Sequence, residues 1–322
     1  MPEFNLADAT DLARWADRLE ARGRFPELIR RLITATGKGL TGLSVRSGEG
    51  VQFPGWDGKA EAGAGDLHVP EGLSVWEMGT NVKVAQKASE DYEKRSAAPG
   101  DVPLSDATYV FVTPRRWHGK EDWATARNAE KVWREVRVYD ADDIAHWLER
   151  APGVHAWFSA LLGKDPYEAE SLETWWEGWS QATVPHIPPG LLLSGRSAAV
   201  EKIRMHLQQP SSPYTVAADS QEEAVAFVAA ALQGEDSPTG LLERAVLVRT
   251  PPAWRRLAVS EPSLILLPLI ESPDVALALR NGHHVILPIG REVGTEVQHE
   301  LPRLYRDGIK AALTEAGLPD GK

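Results

Sequence analysis

Hydrophobic and polar positions in the first half of the chain predict a mixed α/β domain. Apolar residues after Asp8 recur at helical spacing, and the stretch that follows Pro26 continues as a second helix. Short apolar or alternating runs then predict strands, and segments with one polar face predict helices between them. The predicted order is α-β-β-β-α-β-α-β-α. The predicted strands are 41–48, 49–58, 73–79, 107–114 and 134–140, and the later helices are 82–97, 120–133 and a pair within 140–163.

The second half alternates more regularly between apolar strands and amphipathic helices. Such alternation is typical of a parallel sheet whose strands are joined by crossover helices. The sequence stops soon after the last predicted helix, and we expect further domains beyond it in a longer protein. The predicted strands are 190–195, 214–218, 244–250, 263–270 and 283–290, and the predicted helices are 196–209, 219–233, 272–282 and 300–318.

The distribution of tryptophan marks a boundary between the two halves. Eleven of the twelve tryptophans lie between Trp15 and Trp179, which indicates two cores of different composition. A chain of 322 residues is long enough for two domains. We therefore predict a first domain over 1–165, a connector rich in tryptophan and proline over 166–189, and a second domain over 190–322.

The bulk composition limits the classes of function. Cysteine is absent, which excludes disulfides and thiolate metal sites and is expected of a cytoplasmic protein. The formal net charge of −11, with both halves acidic, argues against a protein that coats nucleic acid. A nucleic-acid enzyme stays open, because a catalytic groove can be locally basic. Since no apolar run approaches the ~20 residues that cross a bilayer, we expect no membrane partner.

Two acidic residues beside aromatic ones form the main chemical pattern of the first domain. Asp57 follows a Pro-Gly turn and Glu77 lies in a predicted strand, so adjacent antiparallel strands would bring them together. Acidic oxygens hold Mg²⁺ in enzymes that cleave phosphodiesters, with a cation near the scissile phosphate. The position two residues after Glu77, where such sites carry lysine, is Gly79. Lys83 and Lys87 follow one turn apart on the next helix, and one of them could replace it.

Three further side chains are candidates for the same chemistry. Glu27, on the second predicted helix, could add a carboxylate from the N-terminal side. Arg115 and Arg116 follow an apolar strand, where a nuclease would contact phosphate. Each pattern also has a plain structural interpretation, namely a Gly-Trp-Asp-Gly turn, a strand with one solvated acid and an exposed arginine pair.

Several motifs occur in a fixed order within residues 1–165: FPGWDG, VWEMG, KASEDYEKR, YVFVTPRRW, KEDWATARNAEKVW and DADDIAHWLERAPGVHAWFSALLG. Together they resemble the restriction-endonuclease-like, PD-(D/E)xK superfamily, in particular the Mrr-like nuclease domains of large bacterial defence NTPases. The resemblance implies an α/β/α fold in which Asp57 and Glu77 bind Mg²⁺ or Mn²⁺. It also implies that Lys87, ahead of Lys83, stands in for the motif lysine. DNA as substrate, a homo-oligomer and a phage-derived trigger sensed outside this chain are further implications.

The second domain lacks the residues that hold nucleotide phosphates. The loop after the strand 214–218 reads ADSQEE, with no glycine and no Lys-Ser or Lys-Thr pair. Its two glutamates favour the positive end of the helix dipole but repel phosphate. Pro268 stands where an acidic residue would help to hold Mg²⁺, and Glu271 follows three residues later. The domain thus resembles a P-loop NTPase of the STAND type whose nucleotide site has decayed, and we expect no ATP hydrolysis.

Two functions of different class follow from these patterns. The first is a metal-dependent DNA endonuclease that acts as the effector of an antiphage defence protein. The second is a catalytically inactive nuclease-like module that binds DNA or assembles subunits, with the NTPase-like domain as a scaffold. Gly79 in the lysine position and the acidic net charge support the second.

Overall fold

The computed structural model describes residues 6–46, 48, 55–164, 168–233, 240–260, 263–291, 299–304, 309, 310 and 314. Contacts divide the chain between Lys164 and Asp165 into two compact units. Both units combine helices with a sheet, so the predicted α/β class is confirmed. No helix within the described ranges is long and apolar enough to cross a membrane.

The first unit has a five-stranded sheet of mixed direction. The strand order is β1-β2-β3-β4-β5, with antiparallel pairing from β1 to β3 and parallel pairing from β3 to β5. The strands are β1 Lys38–Val45, β2 Gly58–Ala64, β3 Gly72–Met78, β4 Thr108–Val112 and β5 Glu135–Tyr139. The helices are α1 Ala9–Trp15, α2 Ala21–Thr36, α3 Val84–Ala97, α4 Lys120–Ala129, α5 Ala141–Glu149 and α6 Pro152–Leu161.

Helices cover both faces of this sheet. On one face, α1, α2, α5 and α6 bury Trp15, Phe25 and Trp147 against Trp76 of β3. On the other face, α3 packs its apolar side, including Tyr92, against β4. Because successive side chains of a strand point to opposite faces, β3 contributes Trp76 to one core and Val75 to the other. The unit therefore has three layers, α/β/α.

Side-chain caps explain where two of its helices begin. The Asp8 carboxylate accepts hydrogen bonds from the backbone N–H groups of Thr10 and Asp11, at 2.7 and 2.9 Å, and Asp11 bonds back to the Asp8 N–H. Asp140 and Asp143 form the same reciprocal box at the start of α5. Such caps satisfy N–H groups that the first turn of a helix leaves without partners.

The second unit has a mostly parallel sheet in the order β11-β7-β10-β9-β8-β6. Only β6 pairs antiparallel within the described part. The strands are β6 Ala169–Ser171, β7 Pro213–Ala218, β8 Ala245–Val248, β9 Ile265–Pro268, β10 His284–Gly290 and β11 His299–Glu300. The helices are α7 Leu172–Ser180, α8 Pro189–Leu193, α9 Ser197–Leu207, α10 Gln221–Gln233, α11 Pro251–Leu257 and α12 Val275–Arg280.

Two predicted segments differ from these elements, and two others fall mostly outside the described residues. The strand predicted over 190–195 is wrong, because this apolar run belongs to α8, which has a proline in its first turn. The segment predicted as a connector, 166–189, contributes β6 and α7, and Trp176 is buried in the core of the second unit. Most of the predicted strand 49–58 and of the predicted helix 300–318 lies outside the described residues.

Candidate active site

The turn before β2 and the end of β3 bring the two predicted carboxylates together. Gly58 of β2 and Trp76 of β3 are register partners in the antiparallel pair. Asp57 directly precedes Gly58 and Glu77 directly follows Trp76, so both acids lie at the same end of this strand pair. The Asp57 Oδ2 atom accepts a hydrogen bond from the backbone N–H of Met78 at 2.8 Å. This bond holds the Asp57 side chain across the end of β3.

Glu77 is buried against an arginine that the sequence patterns did not single out. The Nε of Arg95 on α3 donates to Glu77 Oε1 at 2.5 Å, and the exposed fractions of the two side chains are 12% and 4%. The same guanidinium donates to the backbone carbonyl of Gly55 and lies 4.8 Å from the centre of the Trp56 ring. Arg95 therefore joins α3 to the turn that carries Asp57 and neutralises part of the charge on Glu77.

Lys87 occupies the space beside Gly79. A Cβ built on Gly79 would lie 3.2 Å from Lys87 Cγ, so the lysine stem fills the volume that a side chain at position 79 would need. The Lys87 Nζ donates to Asp91 Oδ1 at 2.6 Å, one helical turn along α3. The Lys87 stem therefore lies beside Gly79, and its ammonium is paired with Asp91.

Asp91 and Arg95 are the residues of this site that the sequence reasoning missed. They follow Lys87 at intervals of four, which places all three on one face of α3. The sequence contains the spacing of these three residues, but it does not show which carboxylates they contact. Asp91 Oδ2 is buried and has no hydrogen-bond partner among the described residues.

The electrostatics of the site disfavour two ionised carboxylates side by side. The pKa of Glu77 is raised to about 8, mainly by burial and also by the charge of Asp57, while Arg95 acts in the opposite direction. Burial likewise raises the pKa of Asp57, against the hydrogen bond from Met78. The cations of α3 therefore compensate only part of the negative charge, and a further cation would be stabilised here.

These side chains form the floor of an open cleft in the first unit. The cleft has a volume of about 720 Å³, and Arg22 of α2 lines it together with Thr80 and Asn81 of the loop after β3. Glu90 and Lys94 of α3 line its other side. A space of this size admits a segment of polymer backbone as well as a small molecule.

The donor set of the floor fits a hard divalent cation with few protein ligands. Within the described ranges no group of three or more His, Asp or Glu side chains has the spacing that holds a metal ion. Mg²⁺ requires less, because it keeps several waters and is commonly held by one or two carboxylates together with substrate phosphates. Asp57 and Glu77 supply two such carboxylates at the cleft.

Lys83 and Glu27 lie outside the cleft lining. Lys83 is exposed at the start of α3 and is not among the described residues that line the cleft. Glu27 accepts from Arg24 at 3.3 Å and from Arg31 at 3.1 Å on its own helix. The structure brings Asp57, Glu77 and Lys87 together, but neither of these two side chains.

Arg115 has a structural role in the loops beside the cleft. Its Nε donates to the Thr80 carbonyl at 2.7 Å, and its Nη2 donates to the Ala16 carbonyl at 3.2 Å and to Asp17 at 2.7 Å. Arg116 donates to Asp142 at 3.1 Å. Neither arginine is among the described lining residues, so phosphate contact by this pair stays a prediction.

In the second unit, the junction between β7 and α10 holds ion pairs within the protein. Asp219 follows β7 and accepts from Arg291 at 2.6 Å and from Arg303 at 3.2 Å. Glu223, in the first turn of α10, accepts from the fully buried Arg196 and from the backbone N–H of Asp219. Carboxylates of the protein therefore already form ion pairs with the arginines at this loop, where the predicted fold would bind phosphate.

No protein-family profile matches the sequence, and comparison with curated proteins finds no match either. The chemistry of the cleft is therefore inferred from the arrangement of its own residues.

Proposed function

We propose that the first unit is a metal-dependent nuclease that hydrolyses phosphodiester bonds in DNA. The observation that carries the proposal is the position of the Lys87 stem beside Gly79. Its Cγ lies 3.2 Å from a Cβ built on residue 79. It explains how residue 79, directly after β3, can lack a lysine while a cation is still present near the carboxylates. Two acids at the end of an antiparallel strand pair and one lysine beside them are the set that such hydrolysis requires.

Each side chain has a defined task in this proposal. Asp57 and Glu77 would hold the divalent ion, which would polarise the phosphate and lower the pKa of a bound water. Lys87 would stabilise charge that develops on the phosphate oxygens. Asp91 orients the Lys87 ammonium through their 2.6 Å hydrogen bond. Arg95 offsets the charge of Glu77 and fixes the turn that carries Asp57.

The fold supports a restriction-endonuclease-like first domain. Three antiparallel strands lead into parallel β4 and β5, and the carboxylates lie where β2 begins and β3 ends. The resemblance of the motifs to nuclease domains of bacterial defence NTPases supports an effector role in antiphage defence, with DNA as the substrate.

For the second unit we infer an NTPase-like scaffold that does not hydrolyse ATP. In support, β7 lies between β10 and β11, so the strand order reverses beside the first long strand, where α/β sheets bind ligands. At that place Asp219 and Glu223 pair with arginines and would repel phosphate. The positions of these carboxylates support a loop that has lost nucleotide binding.

One observation favours a catalytically inactive module instead. The pairing of Arg95 with Glu77 at 2.5 Å supplies a cation from the protein to a carboxylate that the nuclease needs for metal. If this pair persists when metal is present, the unit would bind DNA or assemble subunits without cleaving.

Plasmid cleavage decides between the two functions. Purified protein with Mg²⁺ or Mn²⁺ should nick or degrade supercoiled DNA; Asp57→Asn should abolish this cleavage, and Lys87→Ala should slow it by about 100-fold. Glu27→Gln, which changes a carboxylate outside the cleft, should cleave as the wild type does. Cleavage at the wild-type rate by both site variants would overturn the assignment, and no cleavage by the wild type with either metal would favour the inactive module.

A further inference from the structure

Two large apolar side chains are exposed on loops beside the cleft. Leu19 is 97% exposed and Val82 is 78% exposed. In the described part of the first unit, Leu67 is the other large hydrophobic residue that is exposed, at 58%. Exposed apolar residues cost free energy in water unless something covers them, although single ones are common. Their positions decide whether they form a surface.

Arg115 places Leu19 and Val82 on the same rim. It donates to the carbonyl of Ala16 in the loop between α1 and α2 and to that of Thr80 in the loop between β3 and α3. Leu19 lies in the first of these loops and Val82 in the second. One loop contributes Thr80 and Asn81 to the cleft lining and the other leads directly into Arg22, so Leu19 and Val82 lie in segments that adjoin the cleft.

Cations without partners accompany these apolar residues. The side chains of Arg22, Lys83 and Lys94 have no hydrogen-bond or ion-pair partner among the residues that the structure describes. Arg22 and Lys94 line the cleft, and Lys83 directly follows Val82. The floor cations differ, since Lys87 and Arg95 are both paired with acids. The rim therefore presents free positive charge around an acidic floor.

We propose that this rim, comprising Leu19, Arg22, Val82, Lys83 and Lys94, binds duplex DNA and presents its backbone to the cleft. Arg22, Lys83 and Lys94 contact phosphates, which fixes the register of the duplex without reading its sequence. Leu19 and Val82 contact sugars and base edges in the groove, as apolar side chains do in proteins that open or bend DNA. The proposal rests on the proposed function, because it takes DNA as the polymer that enters the cleft.

The arrangement explains how a protein of net charge −11 can bind a polyanion. Phosphate contacts are local and short-ranged at physiological salt, where the Debye length is about 8 Å. The unpaired cations at the rim therefore attract phosphates that lie within about 8 Å of them, whereas acidic groups farther away are screened. The hydrogen bonds of Arg115 hold both loops in place before binding, which reduces the ordering entropy that the complex must overcome.

DNA binding in EDTA tests the rim separately from catalysis. The probe is a short fluorescent duplex, and its affinity is measured by anisotropy over a series of salt concentrations. Arg22→Ala with Lys94→Ala should weaken binding and reduce the slope of log K against log salt by about 2, since each phosphate contact contributes about 0.9. Leu19→Ser with Val82→Ser should weaken binding by about tenfold with an unchanged salt slope.

Two control variants make the result specific. Leu67→Ser removes another exposed leucine of the same unit, and Lys131→Gln removes an exposed charge outside the cleft lining. Both should bind as the wild type does. If the rim variants bind DNA as these controls do and plasmid cleavage persists, the proposal that the rim binds DNA is wrong and the nuclease proposal stands. If DNA binding depends on the rim but the protein never cleaves, the nuclease proposal is wrong and the proposal that the rim binds DNA stands. A wild type that binds no duplex overturns the rim.

Discussion

Lys87 Cγ lies 3.2 Å from the point where a Cβ on Gly79 would stand. The two residues belong to different elements, α3 and the loop after β3, and the absence of a side chain at one makes room for the other. A lysine on residue 79 and a lysine on residue 87 would therefore compete for the same space.

Moving the lysine back to residue 79 should restore part of the activity that Lys87→Ala removes. Loss of the Lys87 charge should lower the cleavage rate by about 100-fold, as removal of one preorganised charge or donor does in other active sites. In Lys87→Ala the space beside Gly79 is open, and Gly79 does not adopt a left-handed conformation, so Gly79→Lys fits after a small shift of Phe111. Cleavage rates of the single and double variants measure the recovery.

Lys131→Gln is the control for this exchange, because Lys131 is an exposed lysine of the first unit outside the cleft lining. It should keep nearly the full cleavage rate. Full activity in Lys87→Ala would contradict the role of Lys87, whichever way the double variant behaves.

Stability of the first unit should fall as the pH rises from about 5 to 8. The folded pKa of Glu77 is about 8, above its ordinary value of 4.5, so the folded state binds a proton that the unfolded state has lost in this window. The contribution is fully present below the ordinary pKa and is lost as the pH rises through 8. Glu77→Gln should remove this slope, which urea unfolding at several pH values would show. An equal slope in the variant would contradict the assignment.

Arg95→Met should destabilise the first unit more at pH 9 than at pH 6. At pH 9 Glu77 is ionised, and removal of its buried partner should cost about 3 kcal/mol, the low end for breaking a buried ion pair. At pH 6 Glu77 carries a proton, and the loss is about 1 kcal/mol for hydrogen bonds such as that to the Gly55 carbonyl. Lys94→Met, on the same helix without a partner, controls for helix effects. Equal losses at both pH values would rule out this account.

ATP with Mg²⁺ should leave the melting temperature of the second unit unchanged. A ligand present at 100 times its Kd stabilises the folded state by about 2.7 kcal/mol, so even weak binding is detectable. Asp219 and Glu223 hold Arg291 and Arg196 at the loop where phosphates would bind, and no shift is expected. A rise that occurs with ATP but not with the same concentration of inorganic sulfate would contradict the prediction.

The order of elements was predictable where hydrophobic periodicity was strong. The apolar runs of β4, β7, β9 and β10 and the helix α10 stand out from their neighbours, and each was predicted within a few residues. The strand β2 was not predicted over its own range, because Gly58–Ala64 contains glycine, alanine, lysine and glutamate without a β-branched residue. Pairing on both sides, with β1 and β3, holds that segment in the sheet.

The site was predictable only in its motif residues. Asp57, Glu77 and Lys87 could be selected because strand order and helix face place them at one end of the sheet. Arg95 could not be selected in the same way, since its contact with Glu77 depends on how α3 lies against β3, eighteen residues away in sequence. Packing between elements decides such contacts, and the periodicity of one element does not contain that information.

The floor cations Lys87 and Arg95 come from α3, whereas Asp57 comes from the turn before β2 and Glu77 from β3. A lysine carried on the strand itself would be locked to its carboxylate by covalent geometry. Here the distance between charge and carboxylate can change when the helix moves as a rigid rod, and a slide of one residue along its axis is about 1.5 Å. Lys87, Asp91 and Arg95 would shift together, so a movement of α3 would change the distances of both cations from Asp57 and Glu77 at once.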